Sequence, residues 1–290
     1  MNSTLTRAEF DILTKLAAGD SGDLCLCAEE AAALSDRGYT ENNSITQKGL
    51  DALEPYRVKR AVFLAAGFGS RMVPVTLDTP KPLVKVHGKR IIDGLIDACL
   101  EAGIGEIYIV RGYLRERFDE LLEKYPMIKF IDNDLYSEAN NISSALLARE
   151  LLQNAYVLEA DLLLSNPRII EKYLYQSNFL AIPKEVTDDW CFEVEDGIIT
   201  EEKTCGENCW QMVGISYWNA SDGEALSRDI KEAYESPNGK TLYWEQVPLA
   251  VFKDRYKVAV RECRDEDIVE IDTFDELKQI DPSYDNEKEG

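Results

Sequence analysis

A chain of 290 residues is long for one compact domain and suits a large domain joined to a small one. Its net charge of −22 argues against general binding to nucleic acids or anionic membranes. No apolar run reaches the ~18 residues of a membrane span, and Met1 to Arg7 lacks the basic region and apolar core of a secretion signal. The cytoplasm is therefore the expected compartment. The cysteines (25, 27, 99, 191, 205, 209 and 263) form an odd, scattered set that does not read as a disulfide framework. Cys25/Cys27 and Cys205/Cys209 fit zinc spacings poorly and His87 stands alone, so reduced thiols are expected. The charge is uneven. Between Arg57 and Arg90 eight basic residues stand against one acid, Asp78, which suggests a local anion site.

Residues 1–56 have their own character. Thr6 and Glu9 stand in capping-box spacing, and Phe10, Leu13, Leu16 and Ala17 recur at helical intervals. A second helix is expected over Ala28 to Arg37, ending at Gly38, and a third opens in Ile45-Thr46-Gln47-Lys48-Gly49-Leu50 after a turn-rich stretch. This arrangement resembles the winged-helix domains of MarR-like proteins. The segment holds four basic residues against ten acidic ones, however, and a recognition helix without a basic footprint is a poor DNA binder. It reads as a packing, dimerisation or partner domain rather than a DNA-binding regulator.

From residue 57 to 290 the pattern is alternating strand and helix. Strands are expected at Val58 to Ala65, Ile107 to Val110, Ile128 to Ile131, Tyr156 to Glu159, Phe179 to Ile182 and Ile268 to Thr273. Helices are expected at Ile91 to Ala102, Leu114 to Lys124, about 142–153, 167–174 and Phe274 to Gln279. This calls for an α/β fold with a mixed, mainly parallel, Rossmann-like sheet flanked by helices.

The chemistry concentrates in Leu64-Ala65-Ala66-Gly67-Phe68-Gly69-Ser70-Arg71 and its continuation to Thr79-Pro80-Lys81-Pro82-Leu83. A buried strand ending in small residues and two glycines lets backbone N–H groups approach and cradle phosphate oxygens. Arg71 adds a charge, and two prolines pin the backbone around Lys81. A tight turn and a solvated lysine are the bland alternatives. The string lacks the dinucleotide-fold and Walker patterns. It resembles the LAAGxGxRhxPhTxxxPKxL signature of sugar-nucleotide-type nucleotidyltransferases. That resemblance implies a nucleotide-diphospho-sugar transferase fold, with Leu64, Ala65, Ala66, Gly67 and Gly69 around the nucleotide. It implies catalytic roles for Arg71 and for Lys81, the latter stabilising charge on the α-phosphoryl group. In such a reaction an acceptor phosphate oxygen attacks the α-phosphorus in line and pyrophosphate leaves. Fixed cations and Mg²⁺ supply most of that catalysis, and no protein nucleophile is required.

Asp161 ends the strand Val157-Leu158-Glu159-Ala160, well placed to hold Mg²⁺ beyond a C-terminal strand edge. Asp272, after Glu270-Ile271, is the second metal candidate; the alternative role there is the N-cap of the next helix. Asn141 and Ser143, in a run of amides and hydroxyls, can cap a helix or read a base edge. Similarity to related cytidylyltransferases places Asn141, Ser143 and Tyr113 near the nucleobase.

The second half is similar to LicC-type CTP:phosphocholine cytidylyltransferases in the segments Asp188 to Phe192, Gly214 to Trp218, Leu242 to Glu245 and Glu270 to Asp272. The resemblance, running from about Lys59 to Ile280, implies CTP and phosphocholine as substrates. Aromatic faces and carboxylates are what a quaternary ammonium needs. Trp190, Tyr243, Glu245 and Glu270 are accordingly the acceptor candidates, while Trp218 and Trp244 read equally well as core. A primary-amine acceptor, 2-aminoethylphosphonate or phosphoethanolamine, and then a sugar 1-phosphate, remain as alternatives.

Overall fold

The computed structural model describes residues 4–19 and 28–286. Cys25 and Cys27 lie outside the described residues. The chain divides into two compact units, residues 1–58 with 172–175, and residues 59–171 with 176–290.

In the first unit, α1 (Arg7–Ala17) opens on the Thr6–Glu9 capping box, in which each side chain accepts from the other's backbone N–H. Helix α2 (Ala28–Asp36) stops before Gly38, whose positive φ of 70° suits a residue without a Cβ. A two-stranded hairpin, β1 (Thr40–Glu41) and β2 (Ser44–Ile45), leads into α3 (Gln47–Leu53), capped by Thr46. The core holds Leu5, Phe10, Leu13, Leu34 and Leu53. Tyr56 and Tyr175 stack at 5.5 Å with Phe10 tilted against both.

The second unit is built on β3 (Arg60–Ala65), which pairs in parallel with both β6 (Glu106–Arg111) and β8 (Ala155–Glu159). Between β3 and β6 lie a short ribbon, β4 (Lys85–Val86) with β5 (Lys89–Arg90), and helix α4 (Ile91–Glu101). Helix α4 buries Ile91, Ile92, Leu95, Ile96 and Cys99 at 3–4-residue spacing. Next to β6 runs β7 (Lys129–Asp132), again parallel, followed by α5 (Ile142–Ala148), which packs on β3 and β6. Beyond β8 come β9 (Leu162–Leu164), β10 (Asn178–Glu195), β11 (Ile198–Trp218), α6 (Ala220–Glu235), β12 (Ala259–Glu262), β13 (Ile268–Glu270) and α7 (Phe274–Ile280). Among the described residues one seven-stranded sheet has the order β10-β12-β11-β8-β3-β6-β7, mainly parallel, with β11 antiparallel to β8 and β10.

Several expectations need correction. The predicted helix at 167–174 is a single 3-10 turn, Pro167–Ile169, because the following residues run to the first unit, where Tyr173 and Tyr175 join its core. Leu114 to Lys124 forms 3-10 turns over Arg115–Glu123, and the helix at 142–153 ends at Ala148 with a further 3-10 turn. The strand at Phe179 extends far beyond Ile182. Strands β10 and β11 both bend, so that Phe192 pairs with Glu202 on one side and with Trp210 on the other. That bend encloses Phe179, Phe192, Trp218, Trp244 and Tyr256 in a core where rings meet at 5.6–6.1 Å. Trp218 and Trp244 are thus core residues.

Helix α6 offers a sharp test of close packing. A Cβ at Gly223 would sit 2.4 Å from the backbone oxygen of Leu152. Alanine in a helix normally gains about 1 kcal/mol over glycine. Here Gly223→Ala is expected to lose roughly 1–3 kcal/mol, because backbone, not a flexible side-chain tip, must give way. Urea denaturation checks the sign.

Candidate active site

Strand β3 lies at the point where the sheet's order reverses, with later strands added on either side, and such points open a crevice beyond the C-terminal strand ends. A cleft of about 710 Å³ occupies that position. Leu64, Ala65, Ala66, Gly67 and Gly69 form one wall of it. Gly67 has open space where a Cβ would be, while Gly69 has φ +62° and sits against Lys81 and Thr76. Thr76 Oγ1 donates to the Gly69 carbonyl at 2.9 Å, which ties the glycine loop to the turn that follows.

Lys81 stands in a 3-10 turn between Pro80 and Pro82 and is only 9% exposed. Its Nζ donates to Asp161 Oδ2 at 2.7 Å and to Asp272 Oδ1 at 2.9 Å. Arg71 Nη2 donates to the same Asp272 oxygen at 2.8 Å. Burial alone would depress the Lys81 pKa, but the two carboxylates outweigh it and raise it. Burial likewise pushes Asp272 up, and the bonds and charges of Lys81 and Arg71 prevail and hold it low.

The two aspartates meet because β13 pairs with β9 and Ile271 N–H donates to the Asp161 carbonyl at 3.3 Å. Asp272 is not the cap of α7. Thr273 takes that position in a capping box with Glu276, which leaves the Asp272 carboxylate free to face the cleft.

Behind these residues the cleft is crowded with acid. Oxygens of Glu159, Asp161 and Glu270 come within 4.8 Å of one another. Burial, followed by the charges of Asp161 and its neighbours, raises the pKa of Glu159 and of Glu270. Glu245, 3% exposed, is raised by burial against the hydrogen bond from Asn141, and its Oε2 is buried without a partner. Trp190 and Tyr243 meet edge to face at 5.7 Å beside it, Tyr243 being 39% exposed.

Asn141 and Ser143 also line the cleft, though their polar atoms are already engaged. Asn141 Oδ1 accepts from Trp244 N–H at 2.8 Å, and Ser143 Oγ accepts from Asn133 and donates to the Asn140 carbonyl. Tyr113 is absent from the residues lining the cleft. Its hydroxyl donates to the carbonyls of Thr76 and Leu77, so it straps the loop after the glycines. Its ring packs on Phe68, a residue of the cleft wall, at 5.4 Å, and Tyr136 packs on the same Phe68 at 5.1 Å.

Sequence reasoning missed Glu159, Asp189 and Asn133 in the lining and Glu202 behind it. Glu159 had a signal: it lies two residues before Asp161, and side chains at that spacing share one face of an extended segment. Gly214 makes room for it, since a Cβ there would stand 2.5 Å from Glu159 Oε2. Cys191 and Cys209 are buried with adjoining thiols, whereas Cys205 is exposed.

Burial, with the charge of Glu245 second, raises Glu202 to about 8. A carboxyl whose folded pKa exceeds its unfolded value contributes stability at low pH and loses it as pH rises. The loss therefore runs from the ordinary carboxylate range, ~4.3, up to about 8. Glu202→Gln is expected to lose less stability than the parent between about pH 5 and pH 9. Urea midpoints across that range decide it.

Comparison with known proteins agrees with this geometry. A model of the Nucleotidyl transferase family matches residues 60–180. A 2-aminoethylphosphonate cytidylyltransferase of Lancefieldella rimae is 34% identical over 77% of this chain and 92% of its own length. A choline-phosphate cytidylyltransferase of Streptococcus pneumoniae is also 34% identical, over 79% of this chain and 99% of its own. The solved CTP:phosphocholine cytidylyltransferase from Streptococcus pneumoniae superposes with a TM-score of 0.72 at 33% identity, covering 78% of this chain and 99% of that one. With a cleft that joins a glycine loop, a buried lysine and paired aspartates, this chain belongs to the nucleotidyl transferase family and is a cytidylyltransferase.

Proposed function

We propose that the enzyme transfers CMP from CTP to phosphocholine, releasing pyrophosphate. The observation that carries this reading is the mixed lining of the cleft. The glycine loop with Arg71 and Lys81 and the group Trp190, Tyr243 and Glu245 line the same cleft. A zwitterion with a phosphoryl group and an ammonium group finds a partner of each kind in such a lining. Relatives whose names carry choline phosphate and 2-aminoethylphosphonate support an acceptor of this type.

In the proposed reaction the backbone amides at Gly67 and Gly69 hold the triphosphate. Arg71 and Lys81 orient the α-phosphoryl group and the attacking acceptor oxygen in line, and offset the charge that builds between them. Asp161 and Asp272, with Glu270 beside them, are the residues to hold Mg²⁺. The donor set fits: all-carboxylate oxygen, with Asp161 Oδ1 buried and unpartnered, oxygens of Glu159 and Glu270 within 4.8 Å of Asp161, and Asp272 joined to Asp161 through Lys81. The ion supplies Lewis-acid stabilisation of the phosphate charge. Residues 1–56, acidic and winged-helix-like in pattern, act as a packing, dimerisation or partner module in a cytoplasmic enzyme.

A second reading rests on a specific observation. Glu245 Oε2 and Glu202 Oε1 are buried without hydrogen-bond partners. A primary ammonium satisfies such oxygens by donating to them, whereas a quaternary one offers only its charge. Phosphoethanolamine or 2-aminoethylphosphonate is then the acceptor.

Radiolabelled CTP offered with phosphocholine, phosphoethanolamine, 2-aminoethylphosphonate and a sugar 1-phosphate separates these. Phosphocholine is expected to give the highest kcat/KM; no turnover with it sinks the first reading. Lys81→Ala is expected to lower kcat by about a hundredfold or more. Glu245→Gln is expected to raise KM for the amine acceptor roughly ten- to hundredfold with a smaller effect on KM for CTP, read from initial rates.

A further inference from the structure

Lys81 and Arg71 place two positive charges on the carboxylates of Asp161 and Asp272. Lys81 Nζ bridges Asp161 Oδ2 and Asp272 Oδ1 at 2.7 and 2.9 Å, and Arg71 reaches Asp272 Oδ1 at 2.8 Å. A divalent cation shared by these two carboxylates, at about 2.0–2.1 Å for Mg²⁺, would stand close to Lys81 Nζ, which already bridges them. A dication so near repels the bridging ammonium, so ion binding and the Lys81 bridge oppose each other.

We infer that the metal enters by exchange. A divalent ion on Asp161 and Asp272 displaces the side-chain cations charge for charge, and Lys81 and Arg71 turn to the nucleotide phosphates. This rests on the proposed reading of the two aspartates as metal ligands. The parts are suited to it. The prolines fix the Lys81 backbone, while its four-carbon stem lets Nζ swing. The Arg71 side chain is 67% exposed and free to turn. Asp161 Oδ1, buried and unpartnered, gives an incoming ion a first hold while Oδ2 is still bonded to Lys81.

The consequence is coupling. Without a polyanion, displaced Lys81 gives up two short carboxylate bonds in a buried place, so metal binding is opposed. A triphosphate supplies that partner, so metal and nucleotide each tighten the other. The enzyme thereby takes up its cation together with substrate.

Mn²⁺ titration of the whole nucleotide-free protein by calorimetry tests this, using the parent, Lys81→Met, Arg71→Met and Asp161→Asn. Lys81→Met is expected to bind Mn²⁺ about tenfold more tightly or better, Arg71→Met several-fold more tightly, and Asp161→Asn not measurably. A non-transferable CTP analogue is expected to tighten Mn²⁺ binding in the parent more than in Lys81→Met. Unchanged or weaker binding in both cation variants, with Asp161→Asn still abolishing it, overturns the exchange and leaves the metal site standing. Undiminished binding in Asp161→Asn overturns the metal assignment and the exchange together. The exposed Arg71 keeps the test decisive should Lys81→Met fail to fold.

Discussion

The bond from the Lys81 ammonium to Asp161 and Asp272 is the interaction on which the rest of the site depends. It joins three segments remote in sequence: the turn after the glycine loop, the end of β8 and the end of β13. A buried charge that loses its partner is strongly destabilising, so each segment must be delivered accurately. The fold does this with cheap local devices. Two prolines fix the Lys81 turn, the β9–β13 ribbon sets the aspartates side by side, and the Thr273 capping box takes over the helix end so that Asp272 need not. Tyr113 and Thr76 add cross-links that hold the glycine loop to the same frame.

The acidic interior behind that bond is a different kind of construction. Burial raises the pKa values of Glu159, Glu202, Glu245 and Glu270, neighbouring carboxylates add to the rise at Glu159, Glu202 and Glu270, and Glu202 and Glu245 keep a buried oxygen without a partner. Such an arrangement works against stability, since each group charges at the cost of its neighbours. Strain and mutual repulsion of this sort cluster where a ligand relieves them. Gly214 is part of the same arrangement, because any side chain there would drive Glu159 out of its place.

What the sequence disclosed followed the range of the interactions involved. The glycine loop, Arg71 and Lys81 were legible because one continuous string carries them, and the strand-ending aspartates because burial patterns stop just before them. The mainly parallel sheet was legible from periodicity alone. Residues 167–174 were not: their apolar spacing fits a helix, but Tyr173 and Tyr175 are claimed by the aromatic core of the first unit. The bend in β10 and β11 was hidden because it depends on Phe192 pairing on both sides, which no local pattern announces. Glu202 reads from sequence as one more surface acid in the Glu201-Glu202-Lys203 run, and only that bend turns it inward. The bonds from the Tyr113 hydroxyl to the Thr76 and Leu77 carbonyls join segments far apart in sequence, which no local pattern announces.

The mixed lining of the cleft also bears on how an acceptor would be oriented. Attack on the α-phosphorus requires the acceptor's phosphoryl oxygen, and no other part of it, to point at Lys81 and Arg71. Cationic groups alone attract any phosphoryl oxygen but do nothing to place the ammonium end of the acceptor. Carboxylates in the same lining add the missing direction: a zwitterion bound with its phosphate against Glu245 and its ammonium against Lys81 would meet repulsion at both contacts. The acids behind the site, costly to the fold, are then part of the proposed catalysis through the orientation they reject.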